Sequence, residues 1–402
     1  MKTRLLIARL AGQCADGVFQ AALFAAIAFN PEHQASPLLM AGSLAVLFGP
    51  YSILGPLLGS LLDRWDRRLV LLWANVVRAL LIVVSAALLA SGLPETVVLV
   101  SALGVMGASR FVASGLSAAL PHVTDRDSLV TVNAVFTTLG GFAVMLGLGI
   151  AAGARLMIGG DDAGCAQAML IGAVLALVAG IIAIGFPGRS LGPDTMGAPT
   201  GRVGLARAWR RGLALIERTP PVAVVLRAIG AHRWVFGMNS MILLVMANHA
   251  GVSTGLRRFL LLIGATAVGA LLAAVTTPLL VHRAGRNRAL EVALSIAIGA
   301  QVLLLAFDVT VLIAVATVLG WAGQTVKLCG DVAMQVDIPD ESRGEVFAIQ
   351  DAVFNLMFIG GVTLAALIVP ADGKAVTLVL IGAASYATAL LVVLRRQSFA
   401  AR

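Results

Sequence analysis

The stretch GSLLDRWDRR, from Gly59 to Arg68, holds five charged residues in its last six positions. It separates two apolar runs, LAVLFGPYSILGPLL before it and LVLLWANVVRALLIVVSAALLA after it. With their flanking residues, both runs reach the roughly 20 residues that an α-helix needs to cross the hydrocarbon of a bilayer. The charges therefore indicate a surface turn between two membrane-spanning helices.

The composition of the whole chain agrees with this interpretation. Of 402 residues, 59% are hydrophobic and 12% are charged, and the mean hydropathy is +0.96, whereas a soluble domain is about 25% charged. The net charge of +9 comes from basic residues between the apolar runs, so we attribute it to membrane topology and expect no nucleic-acid partner. The three cysteines form no C-x-x-C pair, and the sequence predicts no disulfide framework, no metal site and no cofactor.

Twelve apolar runs are long enough to span a membrane as helices, so an all-α membrane protein is expected. The first run contains Asp16 and lacks a small-residue cleavage site, so we interpret it as an uncleaved span rather than a signal peptide. The approximate bounds are 5–29, 37–62, 69–91, 95–119, 128–154, 164–187, 221–248, 254–281, 289–307, 309–335, 344–369 and 374–395.

The distribution of Lys and Arg predicts the orientation. If the N-terminus is cytoplasmic, twenty basic residues fall in cytoplasmic segments and only four on the other side, Arg155, Arg257, Arg258 and Lys374. Short loops rich in basic residues stay inside, so both termini are expected in the cytoplasm. The preference for Arg over Lys, 26 to 3, is typical of a GC-rich bacterial genome, and we expect a multi-pass protein of the bacterial plasma membrane.

The longest loop, residues 188–220, divides six spans from six. It opens with Gly, Pro and Thr, and its second part, VGLARAWRRGLALIER, has helical periodicity with a basic face. We predict a linker with an amphipathic helix that lies on the anionic inner leaflet. The expected domains are residues 1–187, the linker 188–220 and residues 221–402.

The two halves repeat each other. PHVTDRDSLVTVNAVF, from Pro121, aligns with PDESRGEVFAIQDAVF, from Pro339, at an offset of 218. At an offset of 219, GSLLDRWDRR aligns with PLLVHRAGRN, from Pro278, and Asp63 falls on His282. Because both matches occupy equivalent places in the two halves, we predict two pseudo-symmetric six-helix bundles.

Twelve spans in two halves, with G-x-x-x-D-R-x-x-R-R after the second span, resemble the major facilitator superfamily over essentially the whole chain. The resemblance implies secondary active transport by alternating access. It also implies that Asp63 holds the cytoplasmic side closed at the N-terminus of span eleven, where a carboxylate is favoured. The arginines are expected to pair with nearby acids such as Asp66, Asp125 and Asp127, or alternatively serve only the positive-inside orientation. The gating motif comprises Gly59, Asp63, Arg64, Arg67 and Arg68, with Asp66 where a second glycine is usual.

Two branches of the superfamily are similar to this chain. The loop D-R-W-D-R-R and the two repeated stretches resemble exporters similar to the enterobactin exporter, while the first two spans resemble bacterial lysophospholipid transporters. The arginine motif of drug/proton antiporters in span four is only partly present, because Gly115 follows Arg110 after five residues instead of four.

Ionisable residues inside a span are expensive and are candidates for function. The resemblance implies that spans one, four, seven and ten line the cavity, and most such residues lie there. Asp16, Arg110 and Asp331 are the candidates for coupling to protons, with Asp16 expected to pair with Arg110. The substrate-cavity candidates are Asp16, Arg110, His232, Arg233, Trp234, Lys327 and Asp331.

These residues also have structural interpretations. Lys327 and Asp331 are four residues apart and are expected to form an ion pair. Asp16 is alternatively a fixed structural ion, and His232, which can change charge near neutral pH, is alternatively a packing residue. Arg78 is assigned to the cytoplasmic third of span three. Small residues in TLGGFAVMLGLGIAAGA predict that span five packs closely on its neighbours.

The function predicted from these features is proton-coupled export of an amphipathic small molecule such as a siderophore or a drug. The excess of cations in the spans suits a substrate that carries a carboxylate or phosphate. A lipid or lysophospholipid translocator and a non-transporting sensor on the same fold are the alternatives. No H-E-x-x-H, G-x-S-x-G or P-loop motif occurs, so we expect no enzyme. The expected partners are the substrate, protons and membrane lipids, and the protein is expected to be a monomer.

Overall fold

The computed structural model describes residues 1–29, 36–53, 65–125, 129–192, 202–249 and 252–400, and within these segments there are thirteen α-helices and no strand. The first six are α1 (Lys2–Ala28), α2 (Pro37–Ile53), α3 (Arg67–Ala90), α4 (Glu95–Ala119), α5 (Leu129–Ile158) and α6 (Asp162–Ile184). The others are α7 (Arg202–Arg218), α8 (Pro220–His249), α9 (Val252–Ala284), α10 (Arg286–Leu303), α11 (Val309–Asp337), α12 (Asp340–Ile368) and α13 (Val376–Ala400).

Among the described helices, eleven are long and apolar enough to cross a membrane, and α2 is a shorter apolar helix. The predicted second span, residues 37–62, extends into residues 54–62, which lie outside the described part of the chain. With α7 as the linker helix, α8 to α13 correspond to predicted spans seven to twelve. The all-α membrane architecture is therefore confirmed.

Several helix starts follow from local capping chemistry. Asp66 accepts a hydrogen bond from the backbone N–H of Arg68 at the start of α3, and Asp161 caps α6 in the same way. The division between predicted spans nine and ten lies at Asp308, which accepts hydrogen bonds from two N–H groups of α11. A short polar side chain at this position satisfies donors that otherwise have no partner in the first turn.

The chain divides into two compact units, Met1–Leu205 and Ala206–Arg402. In the first, α1 packs on α5 and α6, α3 packs on α4 and α6, and α2 packs on α4. In the second, α8 packs on α12 and α13, α10 packs on α11 and α13, and α9 packs on α11. Equivalent helices thus have equivalent neighbours, and the pseudo-symmetric pair of bundles is confirmed.

Glycines allow the closest helix contacts in each unit. A Cβ at Gly17 of α1 would overlap the carbonyl oxygen of Val144, and one at Gly147 of α5 would overlap that of Cys14. In the second unit, Gly237 of α8 and Gly361 of α12 meet the partner backbone in the same manner. Small residues drive close association of helices in lipid, so the prediction for the glycine-rich fifth span is confirmed.

The linker contains the predicted helix, α7, and part of it packs on the second unit. Gly212 lies against Ile349 and Glu345 at the start of α12, and the Arg211 guanidinium is 3.0 Å from the Glu345 carboxylate. Leu213 and several arginines of α7 remain exposed. Its placement on the inner leaflet stays a prediction.

The glycine contact between α1 and α5 is tested by a matched pair of substitutions. Gly147→Ala places a methyl group on the α1 backbone, whereas Gly149→Ala, two residues further along α5, meets nothing within 4 Å. Overpacking costs about 1–3 kcal/mol, so Gly147→Ala is expected to lower the apparent melting temperature in detergent by about 5 °C. Equal melting temperatures for the two variants would contradict the contact.

Candidate functional site

A buried ion pair joins three helices in the first unit. The Asp16 carboxylate on α1 accepts a hydrogen bond from Nη1 of Arg78 on α3, at 3.0 Å, and one from the Ser109 hydroxyl on α4, at 2.6 Å. Nη2 of Arg78 donates to the Asn75 side-chain oxygen at 2.7 Å. Arg78 is only 1% exposed. The acid and the guanidinium therefore compensate each other within a small polar network.

The ion-pair partner of Asp16 is Arg78, whereas the sequence had indicated Arg110. Arg78 is the twelfth of the 24 residues of α3, and its assignment to the cytoplasmic third of that span is wrong. The available signal was the pair Asn75 and Arg78, because polar residues three apart in an apolar helix share a face. Removing one member of a buried pair leaves an unpaired charge and typically costs about 3–5 kcal/mol.

The described part of the gating motif stabilises one end of the first unit. Arg67 donates from Nη1 to the carbonyl oxygens of Ala118, at 2.9 Å, and Leu191, at 3.3 Å, while Arg68 donates to that of Ile184. These bonds connect the start of α3 to the end of α4 and to the segment after α6.

Two acidic residues near the motif have partners among the described residues. Asp66 accepts from backbone N–H groups, including that of Arg189, and Asp125 forms an ion pair with Lys2 at 3.2 Å. The pairing of these acids with the arginines of the motif stays a prediction. Gly59, Asp63, Arg64 and Asp127 lie outside the described residues, and the gate at Asp63 stays a prediction.

The second unit repeats this connection with different chemistry. Arg286, which aligns with Arg67 in the repeat, begins α10 and forms an ion pair at 2.7 Å with Asp337, the last residue of α11. In both units an arginine at the start of one helix thus holds the end of the next.

Arg233 on α8 is surrounded by aromatic rings. Its guanidinium carbon lies 3.9 Å from the ring centre of Phe354, 4.6 Å from that of Phe358 and 5.1 Å from that of Phe236. Nε donates to the carbonyl oxygen of Phe354 at 3.1 Å. Each cation–π contact contributes about 0.5–2 kcal/mol, and the side chain is 9% exposed.

His232 lies beside this cluster and connects three helices. Its Nδ1 is 2.9 Å from the hydroxyl of Tyr386 on α13, and its ring stacks on Phe236 at 6.1 Å. Nε2 faces Gly323 of α11, where a Cβ would collide with the imidazole. The packing interpretation of His232 fits these contacts. Tyr386 and the phenylalanines of α12 had no signal in the sequence that distinguished them from ordinary apolar residues of a span.

Lys327 and Asp331 form the predicted ion pair, at 2.7 Å, one turn apart on α11. The amide of Gln350 on α12 also donates to Asp331, at 2.9 Å. Both charged side chains are partly exposed, at 38% and 24%, so this pair is more accessible than Asp16 and Arg78. Trp234, another predicted cavity residue, packs its ring against Gly360, and Arg110 is half-buried on α4.

The comparison with known families decides the class of protein. A family model described as Major Facilitator Superfamily matches residues 10–362. The chain belongs to the major facilitator superfamily. Its members are transporters rather than enzymes, and together with the apolar helices this makes the chain a multi-pass bacterial membrane protein that carries a small molecule.

Relatives support the same membership. Two uncharacterised MFS-type transporters, from Mycobacterium bovis and Mycobacterium tuberculosis, are each 42% identical over 394 residues, which cover 97% of this chain and 89% of theirs.

Solved structures share the fold of this MFS transporter. The nucleoside transporter NupG has a TM-score of 0.69 and covers 98% of each chain, and a mutant form of it has a TM-score of 0.73, with 98% and 99% covered. A bacterial homologue of the human lysosomal transporter Spinster has a TM-score of 0.66, with 98% covered in each chain. All three are 13% identical to this chain, so the likeness concerns the fold alone.

The ion pair between α1 and α3 is tested by a double-mutant cycle. Asp16→Ala leaves the Arg78 cation buried without its acid and is expected to lower the apparent melting temperature strongly, by about 10 °C. Adding Arg78→Met to that variant removes the stranded charge and is expected to restore most of the stability. Asp125→Ala, which breaks a largely exposed pair, is the control and should change little. Additive losses in the double variant would contradict the pair.

Proposed function

We propose that this transporter is a proton-coupled exporter of an amphipathic small molecule, such as a siderophore or a drug, and that Asp16 carries the coupled proton. The observation behind the proposal is the buried network of Asp16, Arg78 and Ser109, which joins α1, α3 and α4. A carboxylate in a membrane span is costly and marks proton or substrate pathways in transporters.

Protonation of Asp16 changes the energetics of the network. The ionised carboxylate accepts hydrogen bonds from Arg78 and Ser109 at one oxygen, Oδ1. When a proton binds, the charge that compensates Arg78 disappears, and the buried guanidinium becomes unfavourable in its present place. Movement of α1 relative to α3 then relieves that cost. Proton binding and a helix rearrangement are linked in this way, as coupled transport requires.

Two other residues remain candidates for coupling. Asp331 accepts hydrogen bonds from Lys327 and Gln350 at its two oxygens, and its charge is less costly than that of Asp16 because the side chain is partly exposed. Arg110 lies on α4, next to Ser109, whose hydroxyl donates a hydrogen bond to the Asp16 carboxylate. We assign the primary role to Asp16 because its charge is the more deeply buried one.

A lipid or lysophospholipid translocator is the second candidate function, and one feature favours it. An apolar groove of about 410 Å³ lies between α1 and α5. An alkyl chain is the ligand that such a surface accommodates best. The lining residues are Leu10, Ala11, Cys14, Leu139, Phe142, Ala143 and Leu146.

Proton coupling is tested in proteoliposomes that contain a pH-sensitive dye and have an acidic interior. Externally added 2-naphthyl phosphate, 2-naphthalenesulfonate or fluorescent lysophosphatidylglycerol serves as the probe. Antiport predicts that an amphipathic anion enters while the interior becomes alkaline, and that a protonophore abolishes its accumulation. Asp16→Asn is expected to lower this coupled uptake at least tenfold, because Asn cannot bind and release a proton.

The controls separate the candidate functions. Glu217→Gln removes an exposed acid of α7 and should transport like the wild type. Uptake of lysophosphatidylglycerol that is indifferent to the pH gradient would support the lipid translocator. Absence of transport for all probes, with the protein correctly inserted, would favour the sensor and contradict the exporter.

A further inference from the structure

Arg233 differs from the other buried charged residues in the described part of the chain. Arg78 is paired with Asp16, and Glu291 is paired with Arg288 at 2.5 Å. Nη1 of Arg67 donates to two carbonyl oxygens. Arg233 is 9% exposed, and among the described residues its hydrogen-bond acceptor is one backbone oxygen, that of Phe354, with no carboxylate paired with it. Its positive charge is therefore not neutralised by the protein residues around it.

The terminal nitrogens of Arg233 are available for hydrogen bonding. A guanidinium has five N–H donors, and the bond to Phe354 uses the one on Nε. The donors on Nη1 and Nη2 have no acceptor among the described residues. Neither nitrogen is among the fully enclosed polar atoms that lack a hydrogen bond, so both retain some exposed surface.

The aromatic rings hold this guanidinium in one orientation. Phe354 and Phe358 from α12 and Phe236 from α8 all lie within 5.1 Å of the guanidinium carbon. The hydrogen bond from Nε to the Phe354 carbonyl further restricts the rotation of the guanidinium. A guanidinium held in this way presents its two terminal nitrogens as a rigid fork, which matches a carboxylate, sulfonate or phosphate in bidentate geometry.

We propose that Arg233 binds the oxyanion group of the transported substrate, and that the substrate is therefore an amphipathic carboxylate or phosphate. This inference rests on the proposed transport function and specifies the charge of its substrate. The bound anion supplies the negative charge that compensates the Arg233 guanidinium. An uncompensated cation is costly before binding, and bound ligand then removes part of that cost.

A structural cation and a ligand-binding cation predict opposite effects on stability. If the rings and Arg233 exist to stabilise the bundle, Arg233→Met should lower the apparent melting temperature. If the charge is kept for a ligand, Arg233→Met loses the cation–π contacts but also removes a buried cation that has no acidic partner, and the second effect offsets or exceeds the first. The proposal therefore expects an unchanged or raised melting temperature together with lost anion binding.

Binding is measured on the purified full-length protein by thermal unfolding with a thiol-reactive dye, because all three cysteines are buried in the folded protein and unfolding exposes them. The probes are 2-naphthoate, 2-naphthyl phosphate and the uncharged 2-naphthol. Wild-type protein is expected to bind the anions at least tenfold more tightly than 2-naphthol. Arg233→Met should remove that preference, and Arg233→Lys should retain only part of it, since an ammonium lacks the fork. Whichever of the two anions binds more tightly identifies the headgroup.

Arg227 provides the matched control. It lies six residues earlier on α8 and is exposed, and Arg227→Met should leave anion binding unchanged. Equal binding of 2-naphthol and both anions by the wild type would overturn the proposal without requiring any variant. Loss of stability in Arg233→Met with anion binding intact would overturn it as well.

The test also separates this inference from the proposed function. If Asp16→Asn binds 2-naphthyl phosphate normally but does not exchange it for protons, both proposals are supported. If the wild type exchanges uncharged amphiphiles for protons and does not prefer anions, the role of Arg233 is wrong while proton-coupled export remains.

Discussion

A charge buried in a membrane-spanning helix requires a compensating partner, and this requirement explains the ion pairs inside the two units. Asp16 and Arg78 neutralise each other inside the first unit, and Lys327 and Asp331 do so in the second. Uncharged polar groups obey the same rule, since the side chains of Asn239 and Gln301 bond reciprocally. Arg233, in contrast, is buried without a carboxylate partner among the described residues, and a ligand is the most economical explanation.

The two units share one framework and differ in the chemistry that it carries. Gly17 and Gly237 occupy equivalent contacts, on α1 with α5 and on α8 with α12. When these glycines are superimposed in sequence, Asp16 falls on Phe236, and Arg233 falls on Gln13. Around these equivalent contacts, the first unit therefore has the acid Asp16 and the second has the cation Arg233. A duplicated scaffold with two different polar sites suits a transporter that must handle a proton and a substrate anion.

Sequence reasoning predicted the fold well because its main determinants are local. Apolar length sets the spans, Asp308 marks the turn between predicted spans nine and ten, and the ion pair of Lys327 with Asp331 follows from spacing on one helix. Partners on different helices were not predictable in this way. The choice of Arg78 over Arg110 for Asp16 depends on how α1, α3 and α4 are rotated about their axes, which apolar periodicity does not determine in a bundle surrounded by lipid.

The contacts around Arg233 were not predictable for the same reason, since they also join different helices. The sequence placed His232 and Arg233 in a span but gave no indication that Phe354, Phe358 and Tyr386, more than a hundred residues away, would surround them.

The most direct test of anion binding at Arg233 is an X-ray structure of the protein with 6-bromo-2-naphthyl phosphate, in which anomalous scattering locates the bromine. The account predicts phosphate oxygens about 2.7–2.9 Å from the terminal nitrogens of Arg233. A protein carboxylate bound to those nitrogens, or phosphate bound only elsewhere, would contradict it.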